Sequence, residues 1–170
     1  MLADLGAEVI RVEKLEGSED RWVTPVVEGG EGSMFLQMGR NKLGLTLNPM
    51  KPEGREIVKK LVAASDVVIA NLPYEDLQKM GIDYESLSAI NPRIILATTS
   101  TFGSEGPYKT RVGFDTIGQA MSGAMHLSGD GNVPTRANAP YVDFGSALLS
   151  TVGVLAALLR GHGLPGLQLR

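Results

Sequence analysis

DVVIANL, residues 66 to 72, is an apolar run with one charge at its start, and RIILATTS, residues 93 to 100, repeats the pattern further along the chain. Short runs without polar alternation, bounded by polar residues, suit parallel strands covered on both faces. Between them, YEDLQKMG and YESLSAINP carry short helical patterns. Before them, EGREIVKKLVAAS follows Pro52, a residue suited to the first turn of a helix, and sets Ile57, Val58, Leu61 and Val62 on one face. Working outward, EVIRVEK (8 to 14) and GLTLN (44 to 48) read as strands and FDTIGQAMSGAMHLSG (114 to 129) as a helix despite its glycines. DGNVPTRANAP reads as a loop, and 144 to 160 as a long final helix buried in the core. Strands alternating with helices predict an α/β fold, a Rossmann-like open and mostly parallel sheet flanked by helices. Residues 1 to 160 form one incomplete domain in this reading, and 161 to 170 a tail.

Composition narrows the function. The chain has 170 residues, 43% hydrophobic and 21% charged, in the range of ordinary globular domains. A net charge of −3 without a Lys/Arg-dense stripe argues against nucleic acid and leaves a small molecule as the expected partner. The absence of cysteine removes disulfides, thiolate metal sites and cysteine nucleophiles, and is consistent with a reducing compartment, so cytoplasm is the default expectation. LADLGAEVIRVEK after Met1 has acidic residues where a signal peptide needs a basic start and an apolar stretch, so no leader is expected. The apolar run before Arg160 falls short of the ~20 residues of a bilayer span and is interrupted by Gly145, Ser146, Ser150, Thr151 and Gly153, so no membrane partner is expected.

An open α/β sheet binds ligands beyond the carboxyl ends of its strands, which directs attention to the loops after residues 14, 72 and 100. Neither a G-x-G-x-x-G opening a helix after the first strand nor a G-x-x-x-x-G-K-[ST] is present, which weakens dinucleotide and nucleoside-triphosphate readings. EGGEGS (28 to 33) follows no convincing strand and reads as a connector rather than a phosphate cradle. His126 and His162 have no partner at metal-ligand spacing, so no metal is expected.

NKLGLTLNPMKPEGREIVKKLV, DVVIANL, KMGIDYESLSAINPRIILATTSTFGSEGPY, GFDTIGQAMSG and VDFGSALLSTVGVLAALL, in that order, resemble the family III CoA-transferases, which include formyl-CoA and carnitine-CoA transferases. The likeness covers about residues 1 to 160, and the NPR-strand-GFGxxGPY-like and GFDxxxQAxSG blocks carry most of its specificity. The resemblance implies acyl-CoA:carboxylate CoA transfer, with a CoA thioester and a small carboxylic acid as substrates, a homodimer or complementing chain as partner, and no metal. It also implies that Asp143 is the nucleophile, forming a mixed anhydride and then an aspartyl-CoA thioester. Lys14 falls at a phosphate-contacting position and Leu47 beside the adenine. Asn71 and Leu72 match the end of the second strand block, Lys79 a basic position in the next helix, and Gly113 with Phe114 the segment near the pantetheine arm.

Ordinary readings stand beside these. Asp is among the best helix N-cap residues, so Asp143 suits a cap as well as a nucleophile. Lysines at strand ends are commonly solvated, asparagine can end a strand, and Phe114 suits a core. A helix N-terminus would favour an ionised Asp143, and Gly145 would leave room for a bulky thioester. The chain also departs from the family: NLPYED lacks the arginine and glycine of the N-x-R-P-G loop. Phe114 stands where racemases of the same superfamily carry a histidine, which leaves no acid/base pair for an α-proton. Members of the family are longer, so a fragment is expected, with a non-catalytic CoA-binding or assembly role as the alternative to catalysis.

Overall fold

The computed structural model describes residues 1–29, 31–160 and 167–169. They form two compact units, Met1–Val58 and Lys59–Arg170, with the boundary inside a helix.

In the first unit, β1 (Ile10–Glu13) pairs in parallel with the strand Leu43–Thr46, in the register Ile10↔Leu43 to Glu13↔Thr46. Between them lie a 3-10 turn (Glu19–Trp22), the antiparallel ribbon of β2 (Val26–Val27) and β3 (Glu31–Gly32), and α1 (Ser33–Met38); Leu43–Thr46 is therefore β4. EGGEGS contributes β3 and the start of α1 rather than a bare connector. Strand side chains alternate between faces, and β1 puts Arg11 and Glu13 on one of them. There Glu13 accepts from Arg21 Nε at 2.8 Å and from the Ser18 amide at 3.2 Å, while Arg11 grips Asp20 through two bonds of 2.8 and 2.7 Å. Both guanidiniums lie over the Phe35 ring, Arg21 at 3.6 Å and Arg11 at 5.1 Å. A buried carboxylate is tolerated because every side of it is hydrogen-bonded or paired. Ile10 and Val12, on the other face, are exposed.

α2 (Pro52–Ala63) crosses the boundary between the units. Its face is less covered than the pattern predicts: Val62 is buried, but Ile57 is exposed. In the second unit, β5 (Val67–Ala70), α3 (Tyr74–Met80), α4 (Tyr84–Ile90) and β6 (Ile95–Thr98) follow as the sequence suggests. α3 ends at Gly81, whose φ of 69° is the left-handed conformation that terminates helices, and α4 begins at Asp83, which accepts from the Ser86 amide at 3.0 Å. Asn91, after α4, donates to the carbonyls of Ser65 (2.8 Å) and Val62 (3.3 Å) and accepts from the Arg93 amide, tying the end of α2 to the start of β6.

Four further findings in the second unit differ from the sequence reading. β5 is an edge strand with Ile69 exposed, whereas β6 is central and buries Ile95, Leu96 and Ala97. The stretch from 114 to 129 is two helices, α5 (Asp115–Met121) and α6 (Ala124–Leu127), because Gly123 adopts a φ of 78° between them. The last helix, α7, starts three residues earlier than expected, at Tyr141, and runs to Arg160. Finally, Leu167–Leu169, read as tail, is β7, pairing in parallel with β6 to give the order β5-β6-β7.

α7 is not the buried core helix its composition suggested. Val154 and Ala157 are buried, in the helix that packs on β6 and β7, while Leu148, Leu149, Val152, Leu155 and Leu159 are exposed, the last at 82%. With its full 20 residues it is also long and apolar enough, by length and composition alone, to cross a bilayer. The sequence reading came up short there because it began the helix at 144.

Candidate functional site

Asp143 lies in the first turn of α7, as its third residue, and is not the cap. The leading amides of a helix have no partner within it. Here the Tyr141 amide donates to the Ala139 carbonyl at 2.9 Å. The amides of Val142 and Asp143 donate to Oδ1 of Asp115, at 2.8 and 3.3 Å, and the Phe144 amide begins the helical ladder at Pro140 (3.1 Å). The capping carboxylate thus comes from α5, 27 and 28 positions away. Asp115 is buried, and its Oδ2 accepts from Gln119 Nε2 at 2.5 Å. Gln119, fully buried, spends its remaining capacity on Ala137: Oε1 accepts the amide at 2.8 Å and Nε2 reaches the carbonyl at 3.4 Å.

The carboxyl of Asp143 has no hydrogen bond or ion pair among the described residues. Although the residue is exposed overall, partial desolvation and then the like charge of Asp115 raise its pKa above the ordinary carboxylate value. The sequence reading expected the helix end to favour the ionised form; these two effects oppose it. A Cβ added at Gly145 would meet nothing within 4 Å, so space is open beside the carboxyl-bearing turn.

Gly113 and Phe114 stand immediately before Asp115, so the chain brings both to the Asp143 turn. The Gly113 carbonyl accepts from the Thr101 hydroxyl at 2.7 Å, and Phe114 is 77% exposed, a ring offered to solvent rather than to a core. Asn71 is exposed at the end of β5, and Leu72 lines a cleft of about 380 Å³ with Thr99 and Ser100 after β6 and with Ser146, Leu149, Ser150 and Gly153 of α7. The spacing of the last four places them on one face of the helix. Asp143 is one turn before Ser146 and does not itself line the cleft. Lys79 is exposed and paired with Asp76 at 2.8 Å.

In the first unit, Lys14 and Leu47 are neighbours at the carboxyl ends of β1 and β4, where the Leu47 amide donates to the Glu13 carbonyl at 2.9 Å. Lys14 is engaged by Glu19 at 2.8 Å, which raises its pKa. His126 lies exposed on α6, not on a mostly buried helix. The sequence reading missed Asp115 and Gln119. Two signals pointed to them: Pro140 offers no side-chain acceptor to the helix it precedes, and the pair sits at i, i+4 on one face of α5.

Residues 1–163 match CoA-transferase family III. The chain belongs to that family. It is 39% identical over 168 residues to the succinate–glutarate CoA-transferase of Agrobacterium fabrum, an alignment covering 94% of this chain and 42% of the relative. It is also 39% identical over 165 residues to the succinyl-CoA:glutarate CoA-transferase of Mus musculus, covering 95% of this chain and 37% of the relative. A crystal structure of a CaiB/BaiF family protein from Brucella suis superposes with a TM-score of 0.91 at 38% identity, covering 99% of this chain and 46% of that one. The chain therefore spans less than half the length of these family III relatives.

Proposed function

We propose that this chain carries the nucleophile-bearing part of an acyl-CoA:carboxylate CoA-transferase, with Asp143 as the nucleophile. The observation that carries the reading is a carboxyl in the first turn of α7 with no partner among the described residues and a raised pKa. A carboxylate that accepts no hydrogen bond keeps its lone pairs for attack, and partial loss of hydration strengthens it as a base and nucleophile.

The chemistry balances in two steps and their reversal with a second acid. Asp143 attacks the thioester carbonyl of an acyl-CoA, the C–S bond breaks, and CoA leaves as thiolate, giving a mixed anhydride. The thiolate attacks the aspartyl carbonyl, releasing the first acid as carboxylate and leaving an aspartyl-CoA thioester. An incoming carboxylate repeats both steps in reverse order, leaving with the CoA and returning Asp143 free. The relatives' names support short dicarboxylic acids as the substrate class. Lys14, Leu47, Asn71, Leu72, Lys79, Gly113 and Phe114 are proposed as the CoA contacts, with Lys14 and Lys79 exchanging their present carboxylate partners for phosphate.

The test is hydroxylamine capture from succinyl-CoA, read by mass spectrometry of the Asp143 peptide. An Asp143 hydroxamate that disappears in Asp143→Asn supports the reading, and its absence in the wild-type chain rejects catalysis by this chain. A non-catalytic CoA-binding or assembly role is the second reading, favoured by the ion-paired state of Lys14 and Lys79 and by the chain's share of its relatives' length. It predicts CoA binding by calorimetry without capture. Racemisation has less to stand on, with Phe114 where a second proton-handling group would be needed.

A further inference from the structure

We propose that Asp115 is a positioning residue for Asp143: its buried carboxylate, braced by Gln119, takes two leading amides of α7 and so fixes the turn that carries the Asp143 carboxyl. This rests on the reading of Asp143 as the nucleophile. Three residues on one face of α5 act on the same turn. Asp115 accepts from the Val142 and Asp143 amides at 2.8 and 3.3 Å. Gln119 holds Asp115 at 2.5 Å and the incoming loop at Ala137. Gly118 lets the two helices close, since a Cβ there would lie 2.8 Å from Cγ1 of Val142.

A local Ser, Thr or Asp before the helix would satisfy these amides without tertiary help. Pro140 stands there instead, so the orientation of the first turn is delegated to α5. The arrangement also sets a negative charge facing Asp143. β6 and β7, which pack on α7, carry no titratable side chain, while Tyr74 of α3 lines the cleft with Ser146; α7 itself contributes Tyr141 beside Asp143 and Arg160 at the far end. Asp115 therefore holds the nucleophile in place, and its charge adds to partial desolvation, the larger cause, in making the Asp143 carboxyl more basic than an isolated aspartate.

The experiment uses the whole chain, isotopically labelled. The Asp143 carboxyl carbon is titrated by NMR, amide exchange is followed at Val142 and Asp143, and hydroxylamine capture from succinyl-CoA is run on the same samples. Asp115→Asn keeps an acceptor oxygen and removes the charge, and is expected to move the Asp143 midpoint to lower pH. Asp115→Ala removes the acceptor, and exchange at the two amides is expected to rise roughly 5- to 30-fold while the later turns of α7 are unchanged. If Asp115→Ala does not fold, the Asn titration decides alone. An Asp143 midpoint that stays put in Asp115→Asn would overturn the role of Asp115, even with capture intact. Both NMR responses without capture in the wild-type chain would overturn instead the nucleophile on which the role depends.

Discussion

Glu13 and Asp143 are carboxylates pushed in opposite directions by their surroundings. The Arg21 bond, the Ser18 amide and Arg11 hold Glu13 down from 4.5 to about 2, against the cost of burial. A lowered carboxylate stabilises the fold above its unfolded pKa and loses that contribution as pH falls through the folded value. Glu13→Gln is therefore expected to cost up to roughly 3 kcal/mol at pH 7, measured by urea unfolding, with the gap to wild type closing between about pH 4.5 and 2. Asp143 runs the other way. Its ionisation opposes folding, so Asp143→Asn is expected to raise the thermal midpoint at neutral pH, a gain that disappears below the ordinary aspartate pKa of 3.8. A midpoint lowered at pH 7 would contradict that sign. At this scale the resemblance picked out Asp143 from its motif, whereas the side chain that caps its turn was hidden. A bond between residues 28 positions apart leaves only indirect traces, Pro140 before the helix and the i, i+4 spacing of Asp115 and Gln119.

Among elements, helices and strands were legible wherever periodicity and punctuation agreed, as at Pro52 for α2 and Gly81 for α3. α5 and α6 were read as one helix because a glycine within a helical pattern looks the same whether it bends the chain or not. The linkages between elements are tertiary and were not legible. Asn91 shows this best, since YESLSAINP reads as a short helix with Asn91 near its end, yet its side chain joins two elements through the carbonyls of Val62 and Ser65. Asn91→Ala is expected to destabilise by about 1 to 3 kcal/mol, measured by denaturant midpoint, because it takes the Asn91 donor from the part-buried Ser65 carbonyl, whereas the Val62 carbonyl keeps the Ser65 amide at 3.2 Å. Gly54 makes a similar case in the first turn of α2. A Cβ there would collide with the backbone oxygen of Asn48, so Gly54→Ala is expected to cost about 2 kcal/mol or more despite alanine's better helix propensity. Circular dichroism melts would show this, and an unchanged midpoint would mean that α2 shifts without cost.

For the whole molecule, composition gave the class and strand–helix alternation gave the architecture, while burial was misjudged in one direction. β1, β5 and α7 all carry apolar side chains that the described residues leave uncovered, because an apolar run says that a surface wants cover and not what covers it. Residues 148, 152, 155 and 159 of α7 alternate by four and three, the spacing of a helix–helix seam, and all four are exposed leucines or valines. The isolated chain is expected to self-associate in light scattering at micromolar concentration, and Val152→Lys to shift it towards monomer without lowering its melting temperature. The order β5-β6-β7 also carries a consequence in time. Pairing β5 with β6 closes the chain from Val67 to Ile95, whereas pairing β6 with β7 must bring together Ile95 and Leu167, more than twice as far along the sequence. Loop-closure entropy grows with that separation, so the first pair and its two helices can form early and the third strand docks last. Until it docks, the most buried strand of the protein has one unsatisfied edge, and that interval is when a newly made chain is most exposed to pairing with the wrong neighbour.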